Sequence, residues 1–223
     1  MLVENLIPHG FVAQLHCPPQ ATPERALKEL YLILSGRFRY PQFELLHAGQ
    51  GAVLKEGEQR SCEIYPDHLV IKEQPTQLNF DEFLEQVVPI VQEVRNHIGQ
   101  PIWIFQQSIL RYLLPFDTPV MPMLQQHFFK IGDSDLEKFK RPVLGLCARI
   151  EFPPLPEEPT QVQLRIEPYF REPKMLFLEL SSRYLQPIQQ ISEFEQRLRG
   201  SYEFLKDRAC GFLRGIFSRN QEF

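Results

Sequence analysis

Two halves of this 223-residue chain carry the same order of local signals, and that order constrains the fold more than any single motif does. Thr22-Pro23-Glu24 opens an amphipathic segment in the first half, and Thr118-Pro119-Val120 opens another in the second. Asn79-Phe80-Asp81-Glu82-Phe83 starts a long amphipathic helix before the midpoint, and Ser192-Glu193-Phe194-Glu195 starts one near the C-terminus. Strand-like runs lie between. Each half reads strand, helix, three strands, long helix, a repeat of about one small-domain length. The expectation is an α+β protein of two similar units, residues 1–100 and 101–223. Each is an antiparallel sheet covered by a long helix, because a helix stripe and an apolar sheet face must cover each other.

Local chemistry supports the elements one by one. Phe11 to Cys17 is an apolar run closed by Pro18-Pro19 and reads as a strand. Thr22 is a cap with Pro23 at the first helical position, Ala26, Leu27, Leu30, Tyr31 and Leu34 follow at helical spacing, and Gly36 is a stop. Phe43 to Leu54 is strand-like with an interruption at Gly49-Gln50-Gly51. Ser61–Tyr65 and His68–Lys72 flank Pro66-Asp67, a hairpin signal. Asn79 and Glu82 have capping-box spacing before the stripe Phe80, Phe83, Leu84, Val87, Val88, Val91 and Val94, which Pro89 interrupts.

In the second half, Ile102 to Leu114 is a strand, and Met123, Leu124 and Phe128 form a helix face. Gly132 to Lys140 is a polar connection. Leu144 to Phe152 alternates apolar and polar residues, as do the runs around Leu164 and Leu178. Ser192 with Glu195 makes a second capping-box candidate. The last stripe is Ile191, Phe194, Leu198, Tyr202, Leu205, Phe212 and Ile216.

Composition removes several classes of function. The net charge of −4 gives no globally basic footprint for nucleic acid. The four cysteines (Cys17, Cys62, Cys147, Cys210) are dispersed and predict free, mostly buried thiols. The first residues lack the pattern of a secretory signal, and no apolar run reaches the ~18 residues of a membrane span. A cytoplasmic location is the expectation. No phosphate loop is present, and Gly49-Gln50-Gly51 lacks the following helix, so it is a turn. His16 and Cys17 are adjacent on a strand and point to opposite faces, which argues against a nucleophilic pair. Cys62, His68 and Cys147 lack the close spacing of metal ligands, and His9, His47, His97 and His127 are scattered. No cofactor, metal or catalytic set is predicted.

The charged residues inside strands are the candidate binding set. Arg111, Arg149, Arg165 and Arg183 occupy strands, where aliphatic or Thr side chains would serve folding as well. Guanidinium forks suit planar recognition of carboxylate or phosphate. The competing arrangement is a solvated face neutralised by Glu151, Glu167 and Glu179. The primary expectation is therefore a non-catalytic interaction or accessory protein that binds an unidentified protein or anionic ligand on its sheet face. One alternative is a small-ligand-binding or weakly catalytic domain with a pocket between a sheet and its long helix. Another is a nucleic-acid binder using a concave saddle. The helix stripes also allow a homodimer, with Phe217 and Phe223 as candidate exposed anchors.

Phe80-Asp81-Glu82-Phe83, then Ser108-Ile109-Leu110-Arg111-Tyr112-Leu113, then the closing long helix resemble an uncharacterised, sporadically distributed bacterial family. Its members share a helix with an F-x-x-F start and a strand bearing an L-R-Y-x-N-like segment; here Leu114 stands where the Asn would fall. The resemblance implies no activity and no catalytic residues. The element order is also similar to the duplicated saddle of the TATA-binding proteins and to the repeated units of sliding clamps, a likeness of fold alone.

Overall fold

The computed structural model describes residues 5–46, 50–99 and 102–218. The expectations for His47, for a turn at Gly49, for the unit boundary between residues 100 and 101 and for a Phe223 anchor lie outside those residues. The strands are β1 (Ile7–His16), β2 (Gln42–Leu45), β3 (Ala52–Glu56), β4 (Arg60–Ile64), β5 (His68–Glu73), β6 (Phe105–Pro115), β7 (Ala148–Phe152), β8 (Thr160–Pro168) and β9 (Met175–Tyr184). The helices are α1 (Glu24–Phe38), α2 (Phe80–Ile98), α3 (Val120–Met123), α4 (Asp133–Glu137), α5 (Ile191–Glu203) and α6 (Cys210–Ser218). A π-helical turn, Leu124–Phe129, continues α3, and another, Phe204–Ala209, joins α5 to α6.

All nine strands form one antiparallel sheet in the order β2-β3-β4-β5-β1-β6-β9-β8-β7. A single sheet therefore runs through both halves, where the sequence predicts one for each. The seam is the β1–β6 pair, in register from Gly10↔Arg111 to His16↔Phe105. Its inner side is sealed by Phe11 and Leu110, both fully buried.

The helices build a layer on one face. α1 packs on β3 and α2, α2 on β1 and α5, and α5 on β6 and β9. Period-two alternation explains why the other face stays bare. In β6, Gln106, Ser108, Leu110, Tyr112 and Leu114 are buried, while Gln107, Ile109, Arg111 and Leu113 between them are only half-buried.

Helix α2 starts as its sequence requires. The Asn79 side chain accepts from the Glu82 amide at 2.9 Å, and the Asn79 amide donates to Glu82 Oε2 at 2.7 Å. These bonds satisfy two orphan donors at once. Asn79→Ala is expected to cost about 1 kcal/mol in chemical denaturation. A loss below about 0.3 kcal/mol would show that the cap carries no stability.

Other starts and stops differ from expectation. Pro23, not Thr22, occupies the position before α1, and no side chain caps that end. Helix α1 runs through Gly36 and ends at Phe38, with Arg39 in the left-handed region at φ 58°. Gln190, not Ser192, precedes α5 and caps no backbone N–H with its side chain. The polar stretch from Gly132 holds the short helix α4, and β7 begins at Ala148, leaving Leu144 exposed. Gly51 is required between β2 and β3: its φ is 120°, and a Cβ there would lie 1.9 Å from the Ile64 carbonyl oxygen. Phe217 is no free anchor, because it packs edge-on against Phe116 at 5.5 Å.

Candidate functional site

The face turned away from the helices is organised in cross-strand rows, because register sets which side chains become neighbours. The first row runs Arg111–Glu179–Arg165–Arg149 across β6, β9, β8 and β7. Arg111 Nε donates to Glu179 Oε2 at 2.6 Å, and its Nη1 donates to Gln74. Arg165 Nη2 donates to Glu167 Oε1 at 3.1 Å, and its Nη1 lies 3.5 Å from Glu179 Oε1. Arg149 faces Arg165 directly, a repulsive pairing, and Arg149 Nη2 meets Glu151 Oε1 at 2.8 Å.

The second row runs Gln14–Gln107–Arg183–Gln161 across β1, β6, β9 and β8. Gln107 Nε2 donates to the Ser181 hydroxyl at 3.0 Å. Arg183 is exposed and has no ion pair or side-chain hydrogen bond among the described residues. It borders a hollow of about 160 Å³ with Gln107, Ile109, Gln161, Gln163, Ser181 and Glu179, whose carboxylate is engaged by Arg111 and Arg165.

The third row is made of rings: Tyr65, His68, His16 and Phe105, at the ends of β4, β5, β1 and β6. Tyr65 and His68 stack at 4.4 Å, His68 and His16 at 5.4 Å, and His16 tilts against Phe105 at 5.1 Å. Gln14 Nε2 lies 2.9 Å from His16 Nε2, and Asp67 Oδ1 lies 2.6 Å from His68 Nδ1. Burial, and then the neighbouring His68, hold the His16 imidazole below its ordinary pKa, against an opposing pull from Asp67.

All four predicted arginines thus share one face. Three of them, Arg111, Arg149 and Arg165, are paired with glutamates, as the competing arrangement expects, and Arg183 alone is not. Register explains part of the pairing, since Glu179 stands between Arg111 and Arg165, while Arg149 turns to Glu151 two residues along its own strand. The ring row was not anticipated. Its signal was present, because each of its residues is offset by one from a buried position of its strand (Ile64, Leu69, Leu15 and Gln106).

Three of the thiols are buried and Cys147 is exposed. All four are free. Burial pushes the thiol of Cys17 up to about 11, that of Cys62 to about 12 and that of Cys210 to about 11. Cys17 is buried while His16 lies on the open face, the opposition that adjacency on a strand predicts. Among the described residues no group of three or more His, Cys, Asp or Glu is placed to hold a metal ion, and no helix is long and apolar enough to cross a membrane. No protein-family model matches the chain, and a search of curated proteins finds no match.

Proposed function

We propose that this protein is a non-catalytic recognition protein that holds a protein partner on the open face of its sheet. Arg183 carries this reading. It is the one arginine of the four whose charge is left unanswered, and it stands in a register row of glutamines. Amide groups supply donors and acceptors at once, and a guanidinium fork supplies a bidentate contact to a carboxylate. The partner surface that fits is a polypeptide segment presenting Asp or Glu. Lys55, Lys72 and the four arginines are interleaved on this face with Glu44, Glu63, Glu151, Glu167 and Glu179. So balanced a surface suits a protein better than a phosphate backbone, which favours a basic stripe.

Affinity capture from native extract with quantitative mass spectrometry tests it. Arg183→Glu is expected to lower recovery of the partner about tenfold or more, the scale of one lost charge-assisted hydrogen bond. The melting temperature stays within about 2 °C, because the side chain is exposed and holds no ion pair or side-chain hydrogen bond among the described residues. Arg149→Gln, whose charge Glu151 already answers, is the control with little effect. Equal recovery by wild type and Arg183→Glu would place recognition elsewhere.

We also infer that the sheet descends from a duplicated strand–helix–three-strand–helix unit. What supports this is the order outward from the seam, β1-β5-β4-β3 on one side and β6-β9-β8-β7 on the other. Pro23 and Pro119 stand before α1 and α3 with matching angles, φ −58° and ψ 135° against φ −56° and ψ 134°. Strand β2 has no counterpart. The likeness to duplicated saddle folds implies the same arrangement and bears on descent, separate from function.

A further inference from the structure

We propose that a cleft on the helix side of the sheet, between β8, β9 and α5, binds a small organic amine. The cleft measures about 490 Å³, within the usual span for small-molecule sites. Its floor is Val162, Ser182 and Tyr184. Its wall is the face of α5 that carries Glu193, Arg197, Ser201 and, at the start of the π-helical turn, Phe204. π-Helical turns recur at functional sites because the extra residue re-aims the side chains around it.

One buried polar group points to a ligand. Ser182 is 1% exposed and lines the cleft, and its hydroxyl has no hydrogen-bond partner. Buried hydroxyls are normally satisfied. The groups beside it are engaged with one another. Tyr184 donates to the Arg197 carbonyl at 2.6 Å, and Ser201 donates to the same oxygen at 3.0 Å. Ser201 also lies 2.9 Å from the Tyr184 hydroxyl and 3.0 Å from that of Ser108. Ser182 is the hydroxyl left over.

The charges in the cleft decide the ligand class. Arg197 is turned away from a would-be anion: Nη1 donates to the Gln186 carbonyl at 2.8 Å, Nη2 to that of Pro187 at 3.1 Å, and the guanidinium lies over the Tyr184 ring. Glu158 is paired with Arg208 at 3.1 Å. Glu193 accepts from the Gln189 amide at 3.2 Å and has no ion pair among the described residues. Arg197 acts on it through space, but with the Arg197 donors spent on carbonyls the Glu193 carboxylate is the charged group with hydrogen-bonding capacity left, and the complement of that capacity is an ammonium group. A ligand that reaches from Glu193 to Ser182 needs a cationic end and a second polar group.

Putrescine is the probe, titrated into the ¹⁵N-labelled full chain and followed by NMR, with 1,4-butanediol and succinate as uncharged and anionic counterparts of similar length. Saturable shifts are expected at the amides of Ser182, Gly200 and Ser201 with putrescine only. Glu193→Gln is expected to raise Kd about tenfold or more, the equivalent of roughly 1.4 kcal/mol. Ser182→Ala is expected to raise it by about threefold or more without unfolding the chain, because it removes an unpartnered hydroxyl. No shifts up to about 10 mM putrescine, a Kd range in which binding energy is under about 3 kcal/mol, would overturn the proposal. Equal shifts with butanediol or succinate, or an unchanged Kd in Glu193→Gln, would overturn it as well.

Discussion

Arg60→Met is expected to destabilise the protein by about 3–5 kcal/mol at neutral pH, the cost of leaving a buried carboxylate without its partner. Arg60 Nε donates to Glu73 Oε1 at 2.5 Å, its Nη2 donates to Gln86 Oε1 of α2 at 2.6 Å, and the guanidinium lies over the buried Tyr40 ring at 4.9 Å. Both members are shielded from water, with 15% of the Arg60 side chain and 9% of the Glu73 side chain exposed. Methionine keeps the apolar stem and removes the charge.

The pH dependence gives the prediction its sign. Burial raises the Glu73 carboxyl above its ordinary value, more than the Arg60 charge lowers it. Between the ordinary and the raised value the folded state holds a proton that the unfolded state has released, so stability falls as pH rises through that window. Removing Arg60 takes away the lowering influence and extends the window upward. The loss in Arg60→Met should therefore shrink as the pH is brought down toward 4.5. Replacing Glu73 as well, with Met, should recover most of the lost stability, because a buried pair exchanged for apolar groups is close to neutral. Urea denaturation at pH 7 and pH 4.5 measures both effects. A pH-independent loss, or a double variant no better than the single one, would show that the charge pair is not what Arg60 supplies.

What the sequence made legible was local. Alternation located the strands around Leu164 and Leu178 and set Arg149, Arg165 and Arg183 opposite apolar positions, because period two needs no knowledge of neighbours, whereas Arg111, in a strand apolar on both sides, is placed on that face by the structure. The α2 capping box was legible because its bonds close within four residues. Three things were not. The β1–β6 seam joins residues about a hundred positions apart, and nothing in either strand names its partner. The pairing of Arg111 and Arg165 with Glu179 depends on register between strands, which alternation leaves open. The cleft at Ser182 was not legible, because a serine between Ser181 and Arg183 in an alternating strand carries no signal of its own. Its meaning comes from the absence of any hydrogen-bond partner, which only geometry reveals.

The π-helical turn at Phe204–Ala209 is the clearest departure from periodicity, and it sets the other large effect. A helix of 3.6 residues per turn places Phe212 and Ile216 on the stripe with Leu198 and Leu205. The π turn inserts one residue and rotates the segment after it. Ala209, Cys210 and Leu213 then face the core, Leu213 fully buried, while Phe212 is 45% exposed. Leu198→Ala and Leu213→Ala are each expected to cost about 2–5 kcal/mol, since both side chains are fully enclosed. For a chain of this length that lowers the melting temperature by on the order of 10 °C. Phe212→Ala, although it removes the larger side chain, should cost less than about 1 kcal/mol, because nearly half of that side chain is already in solvent and its ring contact is with Phe128, edge-on at 6.1 Å. Thermal and urea denaturation of the three variants tests the rotation directly. A regular α-helix through residues 204–209 would reverse the order of the last two, and a Phe212→Ala loss exceeding that of Leu213→Ala would rule out the π turn.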